Sequence, residues 1–490
     1  MESAPVPELA EPAQACAERL YRTDDLLLAS HIDADGITSA AIGSTALARA
    51  GLSHEVVFKK QLDETEIERI AARDQETVLF TDFGSGQLDT IAEYEADGSF
   101  EPVIVDHHQP ADATTDYHMN PLLVGLDGAS ELSGAGTTYA LARSLAAAGD
   151  RTAARPVTDG GVAANRDLAA LAVVGAVGDM QATDDGLVGA NEGIVQEGVD
   201  AGVLEERTDL ALYGKQTRPL PKLLEYASEV RIPGVSNSPQ GAVSFLQELD
   251  IDARDDGDWH RWVDLSEDDR QTVVSELMKR ALQRGVPPEK TEQLVGTTYT
   301  LLGEETGTEL RDASEFSTLL NATARYERGD VGLAVCLGDR EAALDRAQRL
   351  LSNHRRNLSE GLEVVKQEGV EESEHLQWFD AGTEIRETIV GIVAGMALGV
   401  DGVDPDRPIV AFARKQQDGQ SNEAETKVSA RGTGRLVGRG LDLSVVVGEA
   451  ARAVGGDGGG HDIAAGATVP AGAEQSFVEH ADTLVADQLG

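Results

Sequence analysis

The sequence predicts an α/β fold with a parallel sheet in its N-terminal part, and three observations support this. Between residues 25 and 180, short apolar runs alternate with amphipathic stretches at the pace of strand–helix units. The links between these segments are short, which favours parallel strands with helices on both faces of the sheet. A chain of 490 residues that is 41% hydrophobic has enough apolar side chains for roughly two to four domains, each with its own core.

The alternation defines the first domain element by element. Four strands are predicted at Asp25–Ala29, His54–Phe58, Thr77–Phe80 and Pro102–Val105. Five helices are predicted at Ile37–Ala50, Glu64–Ala72, Gln87–Tyr94, Gly136–Ala148 and Arg166–Val177. The segment Pro110–Ser133, rich in Asp, Gly and Pro, is too long for a simple connection, so we expect it to lie over a site.

The pattern changes after about residue 190, which predicts three domains: residues 1–190, 191–370 and 371–490. Long amphipathic stretches, Ser266–Arg284 and Ala342–Gln367, make the middle region mostly helical. The third region is predicted to be a smaller α/β domain, with a strand at Arg407–Arg414 and a helix at Asp442–Val454.

The charge is strongly acidic, with 86 Asp and Glu against 41 Lys and Arg, giving a net charge of −45. Only 9 of the basic residues are Lys, and this composition is typical of the cytoplasm of a salt-accumulating archaeon. At molar salt the Debye length is about 3 Å, so acidity does not exclude a nucleic-acid substrate. Cys16 and Cys336 lack ligand-spaced neighbours, which argues against a disulfide framework or a zinc site.

Targeting signals are not predicted. The segment Met1–Gln14 is acidic and does not resemble a signal peptide, and the uncharged apolar run Thr388–Val400 is shorter than the roughly 18–20 residues of a membrane span. We therefore expect a soluble, cytoplasmic protein with no membrane partner.

The first polar cluster follows the first predicted strand. If that strand stays extended, His31, Asp33 and Asp35 share one face because side chains alternate with period 2, and this arrangement suits a divalent cation. The same string also fits an acid-rich turn in which an Asp caps the next helix.

Further polar groups follow the next strands. Asp82 precedes a glycine turn, the apolar run Val103–Val105 continues directly into Asp106, His107 and His108, and Asp179 ends an apolar helix. Each group alone also fits a hydrogen-bonded turn or a charge that reaches solvent. Together they are more specific, because parallel strands bring their carboxyl ends to one edge of the sheet, and such a carboxylate-rich set with some imidazole favours Mn²⁺ or Mg²⁺ over zinc.

These motifs resemble the DHH phosphoesterase superfamily, whose pattern is HxDxDG, an Asp after the third strand, DHH and a later GD. Two C-terminal segments, Ser429-Ala430-Arg431 and Gly458-Gly459-Gly460-His461-Asp462-Ile463-Ala464-Ala465-Gly466, resemble the superfamily's associated C-terminal domain. The middle segment Glu309–Arg325 is typical of archaeal RecJ-like single-strand exonucleases, also called GINS-associated nucleases. The resemblance covers most of the chain and implies an active cleft between two lobes.

The resemblance implies roles for the individual residues. It makes Asp33 and Asp35 ligands of two separate divalent cations, Mn²⁺ or alternatively Mg²⁺, and Asp82 the carboxylate that bridges them. It further implies metal ligands at His31, His107 and Asp179, a catalytic His108 facing the scissile phosphate, an Asp106 that is a ligand or orients His107, and substrate binding by Arg431, Gly458, Gly459, Gly460 and His461. His31 stands where bacterial relatives often have Asp.

The implied function is a two-metal exonuclease for single-stranded DNA or RNA in replication or repair, with a GINS replication complex as a candidate partner. Two alternatives stay open: a phosphodiesterase for short oligonucleotides or cyclic dinucleotides, and a replication-complex scaffold that has lost catalysis. Loss of metal ligands would be the mark of the scaffold, and the expected ligands are all present.

We predict that folding and activity both require high salt, because acidic surfaces repel one another across a Debye length of about 10 Å at 0.1 M but only about 3 Å at 1 M. Salt also weakens nucleic-acid binding, but metal coordination and a phosphate-binding arginine act at short range, so activity should peak at molar KCl. Circular dichroism and activity across a KCl series check this. A protein that is folded and most active at 0.1 M KCl would contradict it.

Overall fold

The computed structural model describes residues 4–149, 162–227, 230–400, 402–415 and 424–489. The chain divides into two compact units, Met1–Gln348 and Arg349–Gly490, and each is described by itself. Among the described residues, none of the helices combines the length and the apolar character needed to cross a membrane. The domain boundaries expected near residues 190 and 370 stay predictions.

The first unit begins with a five-stranded sheet in which all neighbouring strands are parallel, in the order β2-β1-β3-β4-β5. The elements of this part are, in chain order, α1 (Ala10–Leu20), β1 (Asp25–His31), α2 (Ala34–Arg49), β2 (Ser53–Lys59), α3 (Glu64–Ala71), β3 (Thr77–Thr81), α4 (Leu88–Asp97), β4 (Glu101–Val105), β5 (His118–Met119), α5 (Gly134–Gly149) and α6 (Ala169–Gly178). The predicted parallel sheet and its four main strands are confirmed.

Helices cover both faces of this sheet, because successive residues of each strand point to opposite sides. On one face Leu27 and Phe80 pack with Ile67 of α3 and Ile91 of α4 in a continuous apolar cluster. On the other face Leu28 lies against Gly43 of α2, which in turn packs on α5. Two covered faces leave the carboxyl ends of the strands as the place where polar side chains can converge.

The middle region is mostly helical, as predicted, but it also contains strands that the sequence did not predict. Its elements are α7 (Ala190–Asp200), β6 (Leu204–Leu210), α8 (Leu220–Glu225), α9 (Pro239–Gln247), β7 (Arg254–Asp255), β8 (Asp258–Trp259), α10 (Glu267–Gln283), α11 (Pro288–Glu292), β9 (Val295–Leu301), α12 (Ala313–Arg325), α13 (Gly329–Cys336) and α14 (Ala342–Glu368). Strands β6 and β9 pair antiparallel although they are about 90 residues apart, and a separate apolar core that includes Trp262, Phe245 and Leu277 supports this region.

The second unit contains a six-stranded sheet in the order β10-β11-β12-β13-β15-β14, with β11 and β12 parallel and the other neighbours antiparallel. Its elements are β10 (Glu371–Glu372), β11 (Gln377–Asp380), α15 (Val390–Ala397), β12 (Ile409–Arg414), β13 (Glu425–Arg431), α16 (Gly434–Val437), α17 (Leu443–Ala453), β14 (Asp457–Gly460), β15 (Ala464–Pro470) and α18 (Glu474–Leu489). One face packs on α17 and α18, and α15 packs on the other face over β12 and β13. This is the smaller α/β domain that the sequence predicts.

Helix α12 is anchored to the middle region by buried charges. The Glu315 carboxylate is fully buried and accepts hydrogen bonds from the Gln216 backbone N–H, at 2.7 Å, and from the Thr217 hydroxyl. The Lys215 ammonium lies 3.7 Å from Asp312, whose side chain caps the start of the helix. Burial raises the pKa of Glu315 to about 7, and the neighbouring Asp312 acts in the same direction.

This raised pKa predicts how stability depends on pH. Because the folded-state pKa lies above the ordinary value of 4.5, the folded protein holds a proton that the unfolded chain releases, so stability falls as pH rises from about 4.5 to about 7. Glu315→Gln removes the charge while its amide oxygen accepts from the Gln216 N–H and its NH₂ group donates to the Thr217 hydroxyl, so it should remove about 3 kcal/mol of this loss. Denaturant unfolding at pH 5 and pH 8 in constant KCl checks this; equal pH dependence in the two proteins would contradict it.

Candidate metal centre

The polar residues expected to form a site do come together at one edge of the first sheet. His31 ends β1, Asp82 directly follows β3, and Asp106 directly follows β4. Strand β3 lies between β1 and β4 in the sheet, so the three side chains start from adjacent positions. This is the carboxyl-end edge at which open α/β sheets bind ligands.

The polar residues of the first motif are brought together by a turn and not by an extended strand. β1 ends at His31, and Asp33 caps α2 by accepting a hydrogen bond from the Gly36 N–H at 2.9 Å. The expectation that the strand continues with period 2 is therefore wrong, because the helix cap bends the chain directly after His31. The turn still brings His31 Nδ1 to 3.1 Å from Asp33 and 3.4 Å from Asp82.

Asp35 is held by the start of a helix that lies about 100 residues further along the chain. Its two carboxylate oxygens accept hydrogen bonds from the N–H groups of Gly134, at 2.7 Å, and Ala135, at 3.0 Å. Both groups belong to the first turn of α5, where free N–H groups and the helix dipole favour a negative charge. Asp35 is 1% exposed, so this helix end stabilises a carboxylate that water cannot reach.

Asp82 is a buried carboxylate without a hydrogen-bond partner. Its side chain is 2% exposed, and neither of its carboxylate oxygens forms a hydrogen bond within the described residues. Its backbone has φ of +60°, a left-handed conformation that Asp and Asn tolerate better than most residues. A Cβ atom at Gly134 would overlap the Asp82 carboxylate, so glycine is required at position 134.

His107 links the carboxylates of the site. Its Nε2 atom lies 3.2 Å from Asp82 and 3.8 Å from Asp35, and it too forms no hydrogen bond in the described part of the chain. Its Nδ1 atom lies 2.7 Å from the Gly128 carbonyl and 3.8 Å from Asp179. In its neutral form, with Nδ1–H donating to that carbonyl, His107 would turn its Nε2 lone pair toward Asp82 and Asp35, as metal-ligating histidines do.

Asp106 orients His108 and not the imidazole of His107. The Asp106 carboxylate lies 2.8 Å from His108 Nδ1, and it accepts hydrogen bonds from the backbone N–H groups of His107 and Ser85. It is fully buried and its oxygens have partners, so it differs from Asp82. The His108 side chain is about half-exposed at 54%, and its Nε2 atom is not engaged by Asp106.

The pKa shifts indicate that negative charge exceeds positive charge in this site. Burial would lower the pKa of His107, but Asp82, Asp35 and Asp179 raise it well above its usual range. Burial would also lower the pKa of His31, yet Asp33 and Asp82 raise it to about 11. Burial raises the pKa of Asp179 to about 6 and that of Asp35 well above its ordinary value, with Asp82 adding to both shifts.

The donor set fits divalent cations. Three groups of side chains each bring ligand atoms within 4.8 Å of one another: Asp82, Asp106, His107 and His108; His31, Asp33 and Asp82; and Asp35, His107 and Asp179. The partnerless oxygens of Asp82 and the Nε2 atom of His107 are buried polar atoms that a cation would satisfy. Oxygen-rich sets with imidazole suit Mn²⁺ and Mg²⁺.

Several residues near the site were missed by the sequence analysis. Asn321 and Arg325 of α12 reach the first motif: Asn321 accepts a hydrogen bond from the Ala34 N–H at 3.1 Å, and the Arg325 guanidinium lies within electrostatic reach of Asp33. Gln181 donates hydrogen bonds to both Asp179 and the Gly128 carbonyl. No local pattern marks these roles, because each depends on contacts between distant parts of the chain.

The predicted substrate-binding residues all lie in the second unit. Arg431 ends β13, and Ala464 of β15 lies opposite it. Gly458, Gly459 and Gly460 belong to strand β14, which pairs with β15. His461 follows directly, at the turn between β14 and β15.

Three family models match this chain, and their order agrees with the fold. The DHH family N-terminal domain matches residues 26–175, the DHH-CID domain residues 212–295 and the DHHA1 domain residues 376–487. The chain belongs to the DHH superfamily. Membership in this superfamily supports a metal-dependent phosphoesterase.

One curated protein and several solved structures are similar to this DHH-superfamily chain. An uncharacterized protein of Methanocaldococcus jannaschii is 27% identical over 468 residues, covering 94% of this chain and 93% of its own. RecJ from Thermus thermophilus, solved with Mn²⁺ and also with Mg²⁺, matches with a TM-score of 0.59 at 17% identity in the Mn²⁺ structure, over 99% of this chain. The chain spans only 55% of that RecJ. CDC45 from Entamoeba histolytica matches with a TM-score of 0.61 at 11% identity, over 98% of this chain and 99% of its own.

We predict that Asp82 and Asp106 respond differently to substitution. Mn²⁺ should raise the melting temperature of the unsubstituted protein. Asp82→Asn should abolish most of this rise, because it removes the carboxylate charge that a cation would bind, while Asn tolerates the left-handed backbone. Asp106→Ala should destabilise the metal-free protein by about 2 kcal/mol or more, because it leaves buried N–H groups without acceptors.

Thermal unfolding in constant KCl, with EDTA or with Mn²⁺, measures both effects. An undiminished Mn²⁺-dependent rise in Asp82→Asn would contradict the metal assignment. An equal loss of the Mn²⁺-dependent rise in both variants would contradict the distinction between them.

Proposed function

We propose that this protein is a two-metal exonuclease that hydrolyses single-stranded DNA or RNA. The observation that supports it most directly is the Asp82 carboxylate, buried between His31 and His107 with both oxygens lacking hydrogen bonds. In the proposal, Asp82 would be shared by two cations, His31 and Asp33 would help to hold one, and Asp35, His107 and Asp179 would hold the other. Two bound cations would supply a metal-activated water and neutralise charge on the phosphate.

The residues around this centre have the properties that such a reaction needs. The hydrogen bond to Asp106 raises the pKa of His108, which favours an imidazolium able to donate a proton or hydrogen bond through Nε2 to the phosphate or the leaving oxygen. An open cavity of about 430 Å³, lined by His31, Asp82 and His108 and also by Lys60 and Phe83, adjoins the site. Its volume suits a nucleotide.

The second unit supplies the proposed contacts to the rest of the strand. Arg431 would bind a phosphate bidentately, and the glycine strand Gly458–Gly460 before His461 would let the nucleotide chain approach closely. Exonuclease activity is proposed because RecJ, whose fold this chain shares, is named an exonuclease in a further solved structure that matches 99% of this chain with a TM-score of 0.57 at 18% identity. Mn²⁺ is the proposed metal and Mg²⁺ the alternative.

A second candidate function is that of a replication-complex scaffold. The likeness to CDC45 over 98% of the chain favours it, and a GINS-type replication complex is the proposed partner in either case. The complete set of candidate ligands argues for catalysis, because a scaffold has no need to keep the buried Asp82 carboxylate without hydrogen bonds.

We predict that single-stranded DNA or RNA is degraded from an end in Mn²⁺ and that blunt duplex DNA is not, because a single-strand path excludes the wider duplex. Asp82→Asn should retain less than about a tenth of the activity, since one bridging carboxylate serves both cations. The exposed Asp89→Asn on α4 is the matched control and should keep full activity.

Gel analysis of end-labelled substrates at molar KCl checks this. Rapid loss of blunt duplex, or cleavage confined to dinucleotides, would favour the short-substrate alternative. No cleavage of any substrate by a folded, Mn²⁺-binding protein would favour the scaffold.

A further inference from the structure

Lys427 lies in a row of polar side chains on strand β13, in the sheet of the second unit. Lys427, Ser429 and Arg431 alternate with buried Val428 and Ala430 along β13, so the three polar residues share one face of the sheet. A Cβ atom at Gly391 of α15 would overlap the Arg431 guanidinium and crowd the Ser429 hydroxyl. The row therefore lies on the face that carries α15.

The floor beside this row is made of small residues. Thr468, Gly466 and Ala464 of β15 lie directly opposite Lys427, Ser429 and Arg431, and residues paired in this way point to the same side of an antiparallel sheet. Gly459 of the next strand, β14, pairs with Gly466 and continues the same row. These β15 residues are half-buried, in contrast to their buried neighbours Ala465, Ala467 and Val469.

The Lys427 ammonium has cationic neighbours and no bound counter-charge. In the part of the chain that the structure describes, no hydrogen bond or ion pair involves it, whereas Lys415 pairs with Glu425 at 2.8 Å. Burial lowers the pKa of Lys427, and the charges of Lys415 and Arg431 lower it further, with only partial compensation by Glu387. Clustered cations are unfavourable without an anion, and they are unexpected in a chain that has 9 lysines and a net charge of −45.

The Lys427 ammonium lies close to Gly466. A Cβ atom at Gly466 would lie 3.3 Å from Lys427 Nζ, so any larger residue there would crowd the charged group. The flat, side-chain-poor surface of Gly459, Gly466 and Ala464 would let a polyanion lie close to the strands. Half-burial also strengthens a charge-assisted hydrogen bond relative to one in water.

We propose that Lys427 binds a backbone phosphate of a single-stranded nucleic acid, and that this phosphate differs from the one bound by Arg431. The proposal rests on the nuclease function proposed above and deepens it. The Cα atoms of the two residues lie four strand positions apart, roughly 13 Å, so the two side chains start from separate points along the row. A strand that runs along the row and engages both residues needs more than one phosphate, so Lys427 is a specificity residue that favours oligonucleotides over dinucleotides.

Binding of a fluorescent 20-nucleotide DNA strand tests the proposal, measured by anisotropy across a KCl series in the inactive Asp82→Asn background. Removing one phosphate contact should lower the slope of log affinity against log salt by about 0.7. Lys427→Gln should show this loss, and Lys427→Arg should restore the slope. Lys366→Gln, which removes an exposed lysine of α14, is the matched control and should change nothing.

Kinetics in the otherwise unsubstituted protein provide a second measurement. Lys427→Gln should raise KM about tenfold for the 20-nucleotide strand, the effect of losing one charged hydrogen bond, and leave KM for a dinucleotide unchanged. Binding with an equal salt slope and equal KM in Lys427→Gln would overturn the Lys427 assignment alone. Failure of the protein with native Lys427 to bind the strand at any salt would overturn both this inference and the proposed nuclease function.

Discussion

The concentration of buried carboxylates at one edge of the first sheet is the constraint on which the rest of the site depends. Asp35 and Asp82 are almost completely buried and lie around the same imidazole, so their charges repel one another without water to screen them. The fold offsets this in two ways: the first turn of α5 solvates Asp35, and the imidazoles of His31 and His107 lie beside Asp82. Neither feature gives the Asp82 carboxylate a hydrogen bond within the described residues, so a cation is the partner that fits this carboxylate best.

The surrounding architecture keeps space for this arrangement. Gly134 and Gly175 lie so close to Asp82 and Asp35 that a Cβ atom at either position would overlap a carboxylate. The two glycines belong to α5 and α6, which pack on α2, so close helix packing and close carboxylate approach depend on the same small residues. Stability and site geometry are therefore linked, and substitutions that crowd these helices would disturb both.

Helix α12 connects two parts of the first unit that the sequence treats as separate. Its N-terminal end is anchored by Asp312 and Glu315 to the segment Lys215–Thr217 of the middle region. Its C-terminal end reaches the first motif through Asn321 and Arg325. The middle region thus supports the metal centre physically, although it contributes none of the candidate ligands.

The sequence by itself determined the parallel sheet, its strands and the residues at the strand ends, because apolar periodicity and polar residues at strand ends are local signals. It also placed Asp82, Asp106 and His107 at one edge, since parallel strands bring their carboxyl ends together. Only the tertiary structure decided what each carboxylate does: Asp106 is satisfied by four groups of Ser85, His107 and His108, while Asp82 lacks a hydrogen bond within the described residues. That difference depends on which distant groups converge on each side chain.

The same limit explains the elements that sequence reasoning missed or misread. Strands β6 and β9 pair across a long separation, and the Gly458–Gly460 run is a strand because β15 provides its hydrogen-bonding partner, although glycine disfavours strands in isolation. The helix cap at Asp33 was one of two arrangements that the local sequence allowed, and the packed start of α2 selected it. Local sequence determined which residues were available for chemistry, and long-range packing decided which of them were left without partners, because hydrogen-bond satisfaction is a property of the whole fold.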